Sequence, residues 1–507
     1  MLSTLLAQAD PWSRPTIDYH AIAPEAVLVG VICAVLLLDL FLDETKKWIT
    51  ATVAGFGLLA AFIPVLTLAV DDGPARVMFD GGYVVDDFSL VLKALFLLAG
   101  YVVVLMSQQY VEDGDYYQGE YYFLLLTSIA GMVMMASSRD LISIFVALEF
   151  LSIPAYMLAA WRKRDSKSNE AGAKYFLLGV FASAVMLYGM SLLYGETGTT
   201  ILAPLGDSLA ENGLSSVSVL AIVFVLVGFA FKISGVPFHT WAPDTYQGAP
   251  TPIAAFLSVA SKAGGFVALV TLVYVAFPSA GDVWQPMLGV MAAVTMTWGN
   301  VVALRQTNIV RMLAYSSISH GGFILMPLAV AAMDPERVGQ QPLTAVVTYL
   351  LVYSAMNLGA FAIVMAVARK TRSGEISSYG GLMGYAPVLG TLMTLFLASL
   401  AGIPPLGGWI AKFAAFKAVL SAETGWAYTL AVVAAVNSVI AFGYYGNVLR
   451  EMWMKPAPDG DTSPIRTPGS LGAALGICAV ATVVLGVLPN AVLRFGDLSI
   501  LTGAVGP

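Results

Sequence analysis

Long apolar runs of helix-spanning size recur along the chain, and they fix its solvent before anything else is known. A bilayer core about 30 Å thick is crossed by about 20 apolar residues in helical form. Such runs lie near residues 24–42, 48–70, 88–109, 120–137, 139–161, 171–195 and 214–246. Others follow near 252–278, 286–304, 308–333, 343–369, 384–421, 427–450 and 469–489, fourteen in all. The runs are continuous rather than alternating, which demands helices and excludes barrel strands. The expected fold is an all-α polytopic membrane protein of about 14 transmembrane helices, with Ser137-Ser138-Arg139-Asp140 a tight hairpin between the fourth and fifth.

Composition closes the other classes. Only 11% of the 507 residues are charged, against roughly 25% in a soluble domain, and the mean hydropathy is +0.80. Such a chain cannot keep a large surface in water or neutralise a phosphate backbone, so its partner is the lipid bilayer and not nucleic acid. Cys33 and Cys478, each inside an apolar run, cannot build a disulfide framework or a four-cysteine metal site. Gly55-Phe-Gly57-Leu-Leu-Ala60 has no strand before it and reads as small-residue helix packing, not a dinucleotide fingerprint. His20, His239 and His320 are too scattered for haem or zinc, so no metal or bound cofactor is expected in this chain. Met1 to Pro11 lacks a basic segment, and no cleaved signal peptide is expected.

The basic residues orient the spans. Loops after odd-numbered spans, with their flanks, hold fourteen Lys and Arg, including Arg162, Lys163, Arg164 and Lys167. The opposite side holds five: Arg14, Arg76, Arg139, Arg337 and Arg494. By the positive-inside rule the hairpin at 162–167 is cytoplasmic, and both termini face the non-cytoplasmic side of the plasma membrane. Six basic residues remain, in or at the edges of spans: Lys93, Lys174, Lys232, Lys262, Lys412 and Lys417. All are lysine, which can lose its proton when desolvated, as arginine in practice cannot.

Two long spans carry matching interruptions. Span seven reads Lys232-Ile-Ser-Gly235-Val-Pro237-Phe-His239-Thr-Trp241, and span twelve reads Gly402-Ile-Pro404-Pro405-Leu-Gly407-Gly408-Trp409-Ile-Ala-Lys412. Proline removes a backbone donor and glycine loosens the chain, so both predict a helix broken near mid-membrane. The breaks lie five spans apart, and an odd number of crossings inverts consecutive copies. This predicts two inverted five-helix repeats, spans 4–8 (residues 119–280) and 9–13 (281–452). A three-helix segment (1–118) precedes them, and a C-terminal helix and tail (453–507) follow. Inverted repeats with discontinuous helices in matching places point to an ion or substrate pathway.

The charges inside the spans are the candidate site. Glu149 lies mid-span in Leu148-Glu149-Phe-Leu-Ser152-Ile-Pro154, where a charge costs roughly 2.5–3.5 kcal/mol to insert. Lys232 precedes the first break, Lys262 lies well inside span eight, and Lys412 follows the second break. A carboxylate about 4 Å from an ammonium, at an effective dielectric near 20, is worth about 4 kcal/mol. Separating Glu149 from Lys232 would therefore change proton occupancy at both, the basis of a proton relay across a hinge. His320, among Ser316, Ser317 and Ser319, is a further relay candidate, with Lys174 and His239 behind it. The plainer alternative for each is a permanent structural ion pair or a satisfied core histidine. Lys93 is placed near a span end, where it could snorkel; Lys417 reads as a span-end lysine, and Glu25 and Asp39 as interfacial.

These residues resemble a known family. Ala147-Leu-Glu149-Phe, Phe231-Lys232-Ile-Ser-Gly-Val-Pro237-Phe-His239-Thr-Trp241-Ala-Pro243-Asp244, Ser261-Lys262-Ala, Ala314-Tyr-Ser316-Ser317-Ile-Ser-His320-Gly and Gly402-Ile-Pro-Pro405-Leu-Gly-Gly-Trp409-Ile-Ala-Lys412-Phe carry the likeness. The chain is similar over about residues 20–500 to the antiporter-like membrane subunits of respiratory complex I, most closely the subunit N branch of bacterial NADH-quinone oxidoreductase. Lys412, where the sister subunit M has a glutamate, favours that branch. The resemblance implies a proton-translocating subunit of an NADH:quinone oxidoreductase translocase (EC 7.1.1 class), with no redox centre of its own. It implies that Glu149, Lys232, Lys262 and Lys412 form the relay through two linked half-channels. It further implies that NADH, FMN, iron–sulfur clusters and quinone are held by other subunits. Its partners would be the sister antiporter-like subunits and the quinone-proximal subunits of the membrane arm. Two other readings stand beside it: a subunit of a multi-subunit Na⁺/H⁺ antiporter, which shares the fold, and a passive scaffold with structural lysines.

Overall fold

The computed structural model describes residues 16–71, 73–114, 118–333, 335–458, 460–497 and 501. Arg14, the segment Met1–Pro11 and both chain ends lie outside the described residues. The first six spans are α1 (Ala23–Phe41), α2 (Trp48–Val70), α3 (Asp87–Glu112), α4 (Gln118–Ser137), α5 (Leu141–Ala159) and α6 (Ser166–Thr197). Span seven is broken into α7a (Ser216–Lys232) and α7b (Trp241–Gly248). Then come α8 (Thr251–Ala276), α9 (Gly281–Ala303), α10 (Ile309–Leu328) and α11 (Gln341–Thr371). Span twelve is broken into α12a (Pro387–Ala401) and α12b (Gly407–Leu420), and α13 (Gly425–Met454) and α14 (Gly469–Val487) complete the bundle.

Eleven of these helices are long and apolar enough to cross a bilayer by themselves. The two broken spans cross as pairs of halves, and α10, less apolar because of its serines and histidine, is 20 residues long, which at 1.5 Å per residue is about 30 Å. The fourteen spans foreseen in the sequence are therefore present among the described residues, with ends shifted by a few residues. A short antiparallel hairpin, β1 (Arg76–Met78) with β2 (Tyr83–Val85), precedes α3 and pairs Arg76 with Val85. A short helix, Leu202–Asn212, joins α6 to α7a and buries the stripe Leu202, Leu205, Gly206 and Leu209.

Helix association in lipid gains little from hydrophobicity, so close approach of backbones has to hold the bundle. Gly131 on α4 shows this: a Cβ there would stand 2.5 Å from the Leu151 amide nitrogen of α5. The Ser128 hydroxyl, one turn earlier, donates to the Leu151 carbonyl at 2.7 Å. Gly57 serves α2 in the same way against Val31 of α1, the small-residue packing expected of that segment. At the centre α8 is buried along its whole apolar window, and α11 nearly so. α8 and α11 thus form the centre of the bundle, while α1, α13 and α14 form much of the outer wall.

Two basic residues are drawn further inward than their places in the sequence suggest. Arg139 counts among the loop arginines of the non-cytoplasmic side in the sequence, and its side chain is only 2% exposed. It pairs with Asp86 at 3.0 Å and donates to the carbonyls of Ala136 and Ser138. The hairpin turns so tightly that it folds its arginine inward under the β1–β2 hairpin, where Asp86, the N-cap of α3, receives it. Lys93 does not snorkel. Its side chain is fully buried and ion-paired with Glu25 of α1 at 2.9 Å, and it donates to the Tyr83 hydroxyl at 3.1 Å. Glu25, in the first turn of α1, is thus a partner in the bundle, and Asp39, near the other end of that helix, lies 3.6 Å from Lys47.

The Arg139–Asp86 pair makes a stability test. Arg139→Ala takes the guanidinium from the buried Asp86 carboxylate and is expected to cost about 3–5 kcal/mol, read as a lower Tm of the purified protein. Arg139→Met combined with Asp86→Asn, which keeps a capping side chain, is expected to recover most of that loss; equal Tm values for the single variant and the parent would contradict it.

Candidate functional site

Both breaks leave backbone groups that lipid cannot satisfy, and side chains take them up. At the first, the Trp241 indole donates to the Phe231 carbonyl at 3.0 Å, and Thr295 of α9 accepts from the Val236 amide at 2.9 Å. At the second, Gly402 takes φ +91°, a left-handed conformation that suits glycine, and ends α12a. The Ser399 hydroxyl accepts from the Gly408 amide at 3.0 Å, and the Lys412 ammonium donates to the Ala401 carbonyl at 2.8 Å. Each break also contains a cis prolyl bond, Val236–Pro237 and Pro404–Pro405.

The buried ammonium groups lie in a line through these breaks. Lys232 is the last residue of α7a and donates to the Ser152 hydroxyl at 2.8 Å and the Tyr175 hydroxyl at 3.2 Å. Its stem packs against α8, where a Cβ on Gly265 would come within 2.9 Å of Lys232 Cγ. One turn away on α8 is Lys262, which donates to both the carbonyl and the hydroxyl of Ser317 on α10, each at 2.7 Å. A π-helical turn, Leu257–Ser261, immediately precedes Lys262, and a second, Leu272–Ala276, ends α8. His320 follows Ser317 by three residues; its Nδ1 meets the Tyr349 hydroxyl at 2.8 Å and its Nε2 the Tyr445 hydroxyl at 3.2 Å. Phe323 continues the same helix, and the Lys412 ammonium stands 5.0 Å from its ring centre. Lys232, Lys262, His320 and Lys412 are all buried, with exposures of 2–5%.

Glu149 stands at one end of the line, half-buried on α5 and accepting from the Ser183 hydroxyl of α6 at 2.7 Å. The direct Glu149–Lys232 pair envisaged from the sequence is not formed. The ammonium instead meets Ser152, one helical turn beyond Glu149 on the same helix, together with Tyr175. Ser152 and Tyr175 are thus the contacts that sequence reasoning missed; the turn-spacing of Ser152 from Glu149 was the available signal. Ser317, Tyr349 and Tyr445 were missed as partners for a similar reason, since nothing in a single helix announces which neighbour its hydroxyl faces.

Lys174 and His239 stand apart from the line. Lys174 is 41% exposed and bonds Glu170 and Asp244, each at 2.6 Å; Asp244 in turn pairs with Arg311 of α10 at 2.6 Å. This cluster fastens α6, α7b and α10 at one end of the bundle. His239 lies within the first break, its ring 6.0 Å from that of Trp298, and its buried Nδ1 has no hydrogen-bond partner among the described residues. Lys417 is exposed, as its position near the end of α12b predicts. Among the described residues no three His, Cys, Asp or Glu side chains group to hold a metal ion.

A helical bundle of fourteen spans, with two broken helices and buried ammonium groups held by hydroxyls and carbonyls, defines a membrane protein of the ion-translocating class. The chain belongs to the NADH:quinone oxidoreductase/Mrp antiporter transmembrane family, whose model matches residues 138–438. It is 38% identical to NADH-quinone oxidoreductase subunit N of Trichlorobacter lovleyi over 489 residues, covering 96% of this chain and 97% of the relative. Among solved structures it is similar to a chain of respiratory complex I from Thermus thermophilus with bound aureothin, at 32% identity and a TM-score of 0.77, covering 93% of this chain and 98% of that one. A chain of the Mrp complex from Dietzia sp. DQ12-45-1b shares the fold, with a TM-score of 0.84 at 21% identity and coverage of 95% and 97%.

The second break supplies a test of the geometry. Gly402→Ala places a methyl 2.9 Å from Lys412 Cδ at a positive φ. The backbone conformation alone is expected to cost about 1–2 kcal/mol, and the methyl is expected to displace the ammonium from the Ala401 carbonyl. A Tm unchanged from the parent would show that the break tolerates a side chain.

Proposed function

We propose that the chain is a proton-translocating membrane subunit of an NADH-quinone oxidoreductase, coupling electron transfer from NADH to quinone to proton movement across the plasma membrane. The observation that carries this reading is the near full-length match to subunit N at 38% identity. The buried lysine file agrees with it: Glu149, Lys232, Lys262, His320 and Lys412 are the proposed relay, with Ser152, Tyr175 and Ser317 as the hydroxyls that solvate the ammonium groups between transfers. Lysine suits the task because it can carry and release a proton where arginine would hold one permanently. Lys174 and His239 fall outside the main line in this proposal. Lys174 serves the Asp244 cluster, and His239 marks the hinge of the first break.

Domain limits follow the same reading. Residues 1–118 form an N-terminal three-helix unit, 119–280 and 281–452 the two inverted repeats, and 453–507 the C-terminal helix and tail. The termini and the Asp39 end of α1 are assigned to opposite sides, the termini non-cytoplasmic, because the basic loops follow odd-numbered spans. NADH, FMN, iron–sulfur clusters and quinone are assigned to other subunits of an assembly that includes sister antiporter-like chains and quinone-proximal subunits. The half-buried Glu149, beside the exposed Val146, Phe150 and Ile153, fits a face that protein rather than lipid covers in such an assembly. A second reading, a subunit of a Na⁺/H⁺ antiporter, rests on the fold shared with the Mrp chain.

Two measurements on the purified native complex separate these. Flavin- and iron–sulfur-containing partners that co-purify with the chain, and proton uptake that persists without Na⁺, are expected; small antiporter subunits alone, or Na⁺-dependent uptake, would favour the second reading. Lys232→Ala and Glu149→Ala are each expected to assemble and yet lower proton translocation coupled to NADH oxidation by roughly a hundredfold or more, the scale of a lost general acid–base group. Undiminished pumping in both would leave the lysines as a scaffold.

A further inference from the structure

A polar network on the far side of His320 is not used by the lysine file. The Tyr445 hydroxyl of α13 lies between two groups of α10, 3.2 Å from His320 Nε2 and 2.5 Å from Ser316 Oγ. Its single oxygen can therefore accept from one while donating to the other. The opposite ring nitrogen, Nδ1, meets Tyr349 of α11. His320 is thus held between two phenols on two different helices, with one of them continued to a serine.

The position of Tyr445 is itself fixed. Its neighbour Tyr444, whose ring centre is 4.3 Å away, donates to Asn300 Oδ1 of α9 at 3.0 Å. Asn300 Nδ2 donates to the carbonyl and the side-chain oxygen of Asn437, at 2.9 and 3.0 Å. Asn437 lies two turns before Tyr444 on the same face of α13. Its own amide donates to Thr297 of α9 at 3.0 Å. Asn300, Asn437, Tyr444 and Tyr445 are all buried. An amide pair and two phenols in lipid-embedded helices exceed what packing two helices requires, because small residues would bring α9 and α13 together without polar groups.

We propose that Tyr445 is a positioning residue for proton transfer at His320, set by the Asn300–Asn437 clamp between α9 and α13. Its hydroxyl holds the Nε2 side of the imidazole. When His320 takes up a proton, the phenol oxygen accepts from Nε2–H and its own proton turns to Ser316 Oγ; when His320 gives the proton up, the same hydroxyl can turn back and donate to Nε2. The proton count at Tyr445 is unchanged throughout. This inference rests on the reading of His320 as a member of the relay.

The test uses the assembled complex in proteoliposomes, with Tyr445→Phe and His320→Gln measured side by side. Phenylalanine keeps the ring contact with Tyr444 and removes only the hydroxyl. Proton translocation per NADH oxidised is expected to fall roughly three- to tenfold in Tyr445→Phe, the scale of one lost hydrogen bond, and its solvent deuterium isotope effect is expected to rise. Should Tyr445→Phe impair assembly, judged by subunit content, Ser316→Ala removes the other end of the same contact and is expected to shift the isotope effect in the same sense. Parental pumping and isotope effect in Tyr445→Phe or its substitute, with His320→Gln impaired, would overturn the proposal and leave the His320 reading standing. Normal pumping in His320→Gln would overturn that reading, and this inference with it.

Discussion

An ammonium group in a hydrocarbon slab must be solvated by the protein that carries it there, and most of this structure follows from that requirement. Lys262 shows how it is met. The lysine reaches from the most buried helix to α10 and takes both the carbonyl and the hydroxyl of Ser317. Gly321, one turn on, lies against the same site: a Cβ there would meet the Ile233 carbonyl at 3.3 Å and the ammonium at an ordinary contact distance of 3.9 Å. A contact between α8 and α10 is thereby made by a charge rather than by apolar packing. Lys232 finds Ser152 and Tyr175, Lys412 finds a carbonyl that its own broken helix has freed, and Lys93 finds Glu25. The hydroxyl and carbonyl partners stabilise the charge without neutralising it, which leaves these ammonium groups free to respond to a neighbour. The Lys93–Glu25 pair does neutralise it, and that distinguishes a joint from a carrier.

The order of lysine and break differs between the two interrupted helices. Lys232 ends the half before its break, whereas Lys412 lies in the half after its own. Spans seven and twelve run in opposite directions through the bundle, so the reversal of order cancels the reversal of direction. Both lysines consequently belong to the half-helix facing the same end of the bundle.

How much of this could be read from the sequence depends on whether a feature belongs to one helix or to two. The spans, the two breaks and the buried lysines are properties of single segments: apolar length, a Gly-Pro element, a charge among apolar neighbours. They were legible, and so was Gly57 as a packing residue. The partners were not. That Lys232 meets Ser152 instead of Glu149, that Arg139 folds inward onto Asp86, and that Lys93 is sealed against Glu25 each depend on how helices distant in the chain turn toward one another. The π-helical turns of α8 were equally hidden, since Leu257–Ser261 has no proline and its composition is that of an ordinary apolar helix.

Those turns have a consequence for register. A residue advances about 100° around an α-helix, and a π turn accommodates one residue more than an α turn does. Everything after Ser261 is therefore rotated by about that angle relative to an unbroken helix, and the first residue to feel it is Lys262. In regular α-helix the same sequence would aim this side chain roughly a quarter-turn or more away from Ser317. The direction of the central lysine is thus held in the winding of its own backbone, and a helix that gained or lost one residue of slack would re-aim it without moving either end.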